Sequence, residues 1–111
     1  MSLIYKICNF DLWESAIATG HFIGAEIDLR DGFIHFSTAK QLEETLHLHF
    51  QGVENLLLLT IDGSKLDVTW EPARNGTLFP HLYDVLPVSA VLAINPLLLD
   101  GSGRHILPSQ L

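Results

Sequence analysis

The first half of the chain alternates between strand-like and helix-like patterns. Ile4-Tyr5-Lys6-Ile7-Cys8 reads as a short strand. It leads into Asp11-Leu12-Trp13-Glu14, where Asp11 can cap a helix and Glu14 can close the capping box. Trp13, Ala16 and Ile17 then share one helical face, and Gly20 supplies a stop. Residues 21–32 show neither period and read as loop, ending in an Asp31-Gly32 turn. Phe33-Ile34-His35-Phe36 is apolar and β-prone, so it reads as a strand. Thr38 and Gln41 repeat the capping-box spacing, and Ala39, Leu42, Leu46 and Phe50 mark the buried face of a helix ending at Gly52.

Strands dominate the second half. Leu56-Leu57-Leu58-Leu59-Thr60-Ile61, within the span 55–62, is too short for a typical helix and predicts a central strand buried on both faces. Asp67 to Glu71 alternates as a half-buried strand does, and Pro72 to Gly76 reads as loop. In Leu78 to Tyr83, Pro80 argues for an edge strand or a loop. Val88 to Ile94 predicts a strand closed by Asn95-Pro96, and the tail around Gly101-Ser102-Gly103 leaves room for one more short strand. Two early helices followed by strands predict an α+β fold.

Length adds that this is one domain: 111 residues expose about 6,100 Å² when folded, against about 18,000 Å² unfolded, enough burial for a core without staples. The hydrophobic share is 48% and the charged share 17%, which excludes intrinsic disorder. Six basic and 13 acidic side chains leave a net charge of -7, spread evenly along the chain. With no basic patch, long nucleic acid is excluded as a partner, while a polar pocket for one nucleotide is not. The lone Cys8 forms no internal disulfide and suits a reducing, cytoplasmic setting. No apolar run approaches membrane-spanning length, so no membrane partner is expected; oligomeric state is not readable.

Three polar clusters could carry chemistry. In Asp31-Gly32-Phe33-Ile34-His35-Phe36-Ser37-Thr38, strand alternation puts His35 and Ser37 on one face, close to the N–H donors of the helix beginning at Thr38. That setting suits an oxyanion or a ribose hydroxyl; equally, Ser37 and Thr38 could serve only as caps with His35 bonded in the core. In Trp70-Glu71-Pro72-Ala73-Arg74-Asn75-Gly76, an acid, an arginine and an amide around a loop suit a carboxylate, phosphate or ribose, the guanidinium fork matching oxyanions, or else form a surface ion pair beside a turn. In Phe79-Pro80-His81-Leu82-Tyr83-Asp84, an extended backbone puts His81 and Tyr83 on one face, suited to a planar ligand ring or to plain core packing. His47 and His49, at i and i+2 on a helix, diverge and predict solvent exposure in place of metal binding. Cys8 sits in an apolar strand without a neighbouring base, so it predicts an inert thiol.

These same motifs, with Ile4-Tyr5-Lys6-Ile7, Trp13 and Gly20 before them, resemble the small bacterial family called domain of unknown function 952, over residues 3–95, with 96–111 as a short tail. The resemblance implies an ADP-ribosyltransferase-like fold, with helices on a mostly antiparallel split sheet, shared with RNA 2′-phosphotransferases. Ile34-His35-Phe36-Ser37 is similar to the valine-histidine-leucine-serine strand of those enzymes, and Leu57 to Asp62 to the strand that follows it. The ligand so implied is NAD, ADP-ribose or a related nucleotide, held in a cleft between two small sheets. His35, Glu71 and His81 then fall in catalytic roles, and Lys6, Ser37, Thr38, Arg74 and Tyr83 in ligand binding. Lys6 stands where the superfamily commonly has histidine or arginine, arginines number only three, and Glu71 matches the transferases' glutamate by type alone. Beside a transferase, the sequence leaves open a non-catalytic small-molecule module and a small-ester hydrolase using His35 and His81.

Overall fold

A computed structural model of the protein describes residues 2–109 and 111, and of Arg74 the backbone without the side chain. Strand β1 (Leu3–Asn9) runs into helix α1 (Phe10–Thr19), followed by β2 (His21–Phe22), α2 (Glu26–Asp31) and β3 (Ile34–His35). A single 3-10 turn at Ala39–Gln41 then opens α3 (Leu42–His49). The strands β4 (Leu56–Asp62), β5 (Thr69–Pro72), β6 (Leu78–Leu82), β7 (Leu86–Pro87) and β8 (Val91–Leu97) complete the order. They form three small sheets with antiparallel pairings, ordered β1-β4-β8, β2-β7 and β3-β6-β5. The α+β class read from the sequence is therefore correct, and among the described residues no helix is long and apolar enough to cross a membrane.

The apolar run forms β4, at the centre of its sheet, and both its faces are covered. Leu57, Leu59 and Ile61 join a core with Trp13, Phe22, Ile34 and Leu86, while Leu56 and Leu58 face Leu42 and Leu46 of α3. β1 follows the same period of two. Ile4 and Cys8 enter the first core and Tyr5 and Ile7 the second, which puts Lys6 on the first-core side with Ile4 and Cys8.

Several local expectations are corrected. The cap of α1 is Asn9, whose Oδ1 accepts from Leu12 N at 2.8 Å, so Asp11 falls in the first turn; Ile17 is exposed. Among the described residues there are three α-helices, not two. The supposed loop at 21–32 contains α2, whose six residues are too few to show a helical period, and Gly32 is its left-handed end. Pro80 lies in β6, the middle strand of its sheet. Its nitrogen and carbonyl face the short strand β3, where the carbonyl accepts from Phe36 N at 3.0 Å and the ladder to β5 lacks no donor. The predicted strand 88–94 begins with a 3-10 turn at Val88–Ala90 and then runs through Asn95-Pro96, which an edge strand such as β8 tolerates. Gln41 does behave as expected, its Oε1 accepting from Thr38 N at 2.9 Å.

Candidate functional site

β1 and the segment after β3 touch through a two-bond bridge: Tyr5 N donates to Ser37 O at 2.8 Å and Ser37 N to Tyr5 O at 2.9 Å. Beside this bridge lies a cleft of about 360 Å³. Its polar wall is Tyr5, Lys6, His35, Ser37, Thr45 and His81, with His49 also lining it. Its apolar wall includes Ile7, Ile27, Phe36, Phe50 and Phe79. Such a volume is near the small end of ligand pockets. A larger depression of about 990 Å³ runs between α3 and the C-terminal segment, but it holds none of the residues predicted for the site.

His35 and His81 reach the cleft as direct partners across β3 and β6, with ring centroids 5.4 Å apart. Glu71 is diagonal to His81 on the neighbouring β5, where Thr69 is its opposite residue, so all lie on one sheet face. Glu71 Oε1 lies 2.8 Å from His81 Nδ1 and accepts from Tyr83 Oη at 2.6 Å. These two hydrogen bonds, Tyr83 first and His81 second, hold the Glu71 carboxyl below the usual range, and Glu71 in turn pushes the Tyr83 phenol up. An ionised Glu71 only accepts, so His81 Nδ1 carries the proton. His81 Nε2 has no hydrogen-bond partner among the described residues. Phe33 packs over the group, with its ring centroid 4.1 Å from His81, 4.6 Å from His35 and 5.1 Å from Tyr83.

The His35 ring is held differently. Its Nδ1 is 2.6 Å from Asp28 Oδ1 and its Nε2 is 3.0 Å from Asp31 Oδ2, so carboxylates of α2 engage both nitrogens. Asp28 also accepts from Lys6 Nζ at 2.9 Å, from His35 N at 3.1 Å and from Ala25 N at 2.7 Å. Burial alone would raise the Asp28 pKa; the His35 bond, the Lys6 charge and bond, and the Ala25 amide outweigh it and bring it to about 2. The remaining Lys6 donor goes to His35 O at 3.0 Å. Gly24 makes room for this arrangement, since a Cβ there would meet Asp28 Cβ at 2.8 Å and its φ is +115°.

Of the residues expected in the site, Lys6, His35, Ser37 and His81 converge on the cleft, Glu71 joins through His81, and Tyr83 joins through Glu71. Lys6 is placed as the internal counter-charge of Asp28, its ammonium engaged by protein acceptors. Thr38 is not in the cleft wall; it caps the turn before α3. The Arg74 side chain lies outside the described residues. Ser37 Oγ meets Thr45 Oγ1 at 3.3 Å. Cys8 is buried, and desolvation raises its thiol to about 11, well away from a nucleophile's range. His47 and His49 are exposed, and among the described residues no group of three or more His, Cys, Asp or Glu side chains could hold a metal ion. Asp28, Asp31, Phe33 and Tyr5 were not among the predicted site residues. For Asp28 and Asp31 the available signal was their i, i+3 spacing, legible only once a helix is recognised there.

The family model described as a protein of unknown function, DUF952, matches residues 7–94. The crystal structure of protein CC0527 from Caulobacter crescentus is similar over 95% of this chain and 94% of that one, with 44% identity and a TM-score of 0.91. The solution structure of CC0527 covers 94% of this chain and 91% of its own, at 44% identity and a TM-score of 0.82. No curated protein matches the chain.

Proposed function

The chain belongs to the DUF952 family, and we propose that its cleft binds a small nucleotide or ribose-phosphate ligand of the NAD or ADP-ribose kind. The observation that carries this reading is the cross-strand pair His35 and His81 beside the Ser37 and Thr45 hydroxyls on one half-apolar cleft. A ribose offers hydroxyls to the polar wall, and the apolar wall can take a planar base. We read the fold as ADP-ribosyltransferase-like, supported by the site lying between two small antiparallel sheets. Arg74 is assigned to phosphate from its sequence motif.

His81 is the general acid/base of the site. With Nδ1–H held by Glu71, its Nε2 lone pair can take a proton from a ligand hydroxyl and return it, while the carboxylate stabilises the imidazolium. His35 orients the site from its α2 carboxylates. A hydrolase reading that uses His35 and His81 is weaker, because carboxylates engage both nitrogens of His35. A cytoplasmic location suits the single buried thiol.

Thermal shift tests the reading. ADP-ribose or NAD raises the melting temperature of the wild type, and His81→Ala abolishes the rise. Absence of a shift with both ligands overturns it.

A further inference from the structure

The cleft contains a polar atom that the family resemblance did not assign. Tyr5 is 4% exposed and lines the cleft, packed with Ile7, Leu42 and Leu46 at the second core. Its backbone is fully used by the bridge to Ser37. Its hydroxyl, however, has no hydrogen-bond partner among the described residues. The same residues include no fully enclosed side-chain oxygen or nitrogen that lacks a partner, so the Tyr5 hydroxyl touches open space, and the space that Tyr5 lines is this cleft. A phenol oxygen that opens on a cleft is available both to donate to and to accept from a bound molecule.

His81, 5% exposed, presents a second such atom, the Nε2 described above. The two atoms are complementary. The imidazole Nε2 accepts, and the phenol both donates and accepts. Among the described residues, the one buried cation in the wall, Lys6, is already neutralised by Asp28. We propose that Tyr5 is a ligand-binding residue, and that Tyr5 and His81 together recognise an uncharged, hydroxyl-bearing part of the ligand, the nucleoside ribose, through its oxygens. This rests on the nucleotide reading above and narrows it: the neutral nucleoside moiety is the group held by the described wall, so adenosine itself is a ligand.

The test uses the full chain, its Tyr5→Phe variant, and two probes, adenosine and ADP-ribose, by calorimetry and thermal shift. Because the hydroxyl has no hydrogen-bond partner among the described residues, Tyr5→Phe without ligand keeps the melting temperature of the wild type. It weakens adenosine binding about tenfold, the effect of removing one hydrogen bond and leaving its ligand partner unsatisfied. ADP-ribose weakens by the same factor, since the same moiety is held. If Tyr5→Phe binds both probes as the wild type does, the Tyr5 assignment is overturned while the nucleotide reading stands. A melting temperature lowered by several degrees without ligand also overturns it, because the hydroxyl would then be structural. Binding of ADP-ribose without adenosine overturns recognition of the neutral moiety alone. If neither probe binds the wild type, both readings fall.

Discussion

Replacing Lys6 by methionine removes the ammonium but keeps most of the side-chain volume. Asp28, with its side chain 1% exposed, is then left buried without its counter-charge. Removal of one partner from a buried pair costs about 3–5 kcal/mol. Here three N–H donors remain on Asp28, from His35 N, His35 Nδ1 and Ala25 N, which puts the cost at the lower end, about 3 kcal/mol. For a chain of this length the unfolding entropy is about 0.23 kcal/mol per degree, so Tm falls by roughly 13 °C.

The pH dependence of this loss separates electrostatics from packing. In the wild type the Asp28 pKa is lowered from 3.8 to about 2. A depressed carboxyl contributes stability that is present above its unfolded value and lost as pH falls through the folded one. The contribution is about 2 kcal/mol, disappearing between about pH 4 and pH 2. Without Lys6 the folded Asp28 pKa rises, and the variant loses less on acidification. The gap between wild type and Lys6→Met therefore narrows as pH drops from 7 toward 3. Urea unfolding followed by emission of Trp13, which is 4% exposed, measures both curves. A deficit under about 1 kcal/mol at pH 7, or a gap that stays constant on acidification, refutes the reasoning.

Two further outcomes follow from the geometry. Gly24→Ala places a Cβ 2.8 Å from Asp28 Cβ at a φ of +115°; it lowers stability by roughly 1–3 kcal/mol in urea titration, and wild-type stability would show that Asp28 has room to move. Glu71→Gln removes the acceptor charge that raises the Tyr83 phenol. In a Tyr5→Phe background, where Tyr83 is the sole tyrosine, near-UV absorbance then shows phenolate forming at lower pH than with Glu71 present; an identical titration contradicts the Glu71–Tyr83 bond.

Legibility varied with the range of the interaction that decides each element. The leucine run of β4 and the Gly20 stop of α1 follow from period and backbone preference, and both appear where expected. The pairing of His35 with His81 was suggested only by their type and motif, since the register that joins them brings together residues separated by 45 intervening positions. α2 was invisible because six residues contain less than two turns, and its strongest determinant, the acceptance of Lys6 and His35 by Asp28, is not a local pattern. Pro80 misled for a related reason. Proline disfavours a middle strand on average, but here its missing donor faces a partner strand only two residues long.

The amino-acid order alone determined the α+β class, the central strand, the Gly20 end of α1, the Thr38 cap and the two histidine-bearing motifs, because hydrophobic period and capping are properties of adjacent residues. Tertiary structure decided what those motifs do. It engaged Lys6 with Asp28, turned both nitrogens of His35 toward carboxylates, left His81 Nε2 without a partner among the described residues, and put Tyr5 in the cleft wall. Each depends on which distant side chain arrives to satisfy a polar atom under burial, and hydrogen-bond satisfaction is settled by packing, not by neighbours in the chain.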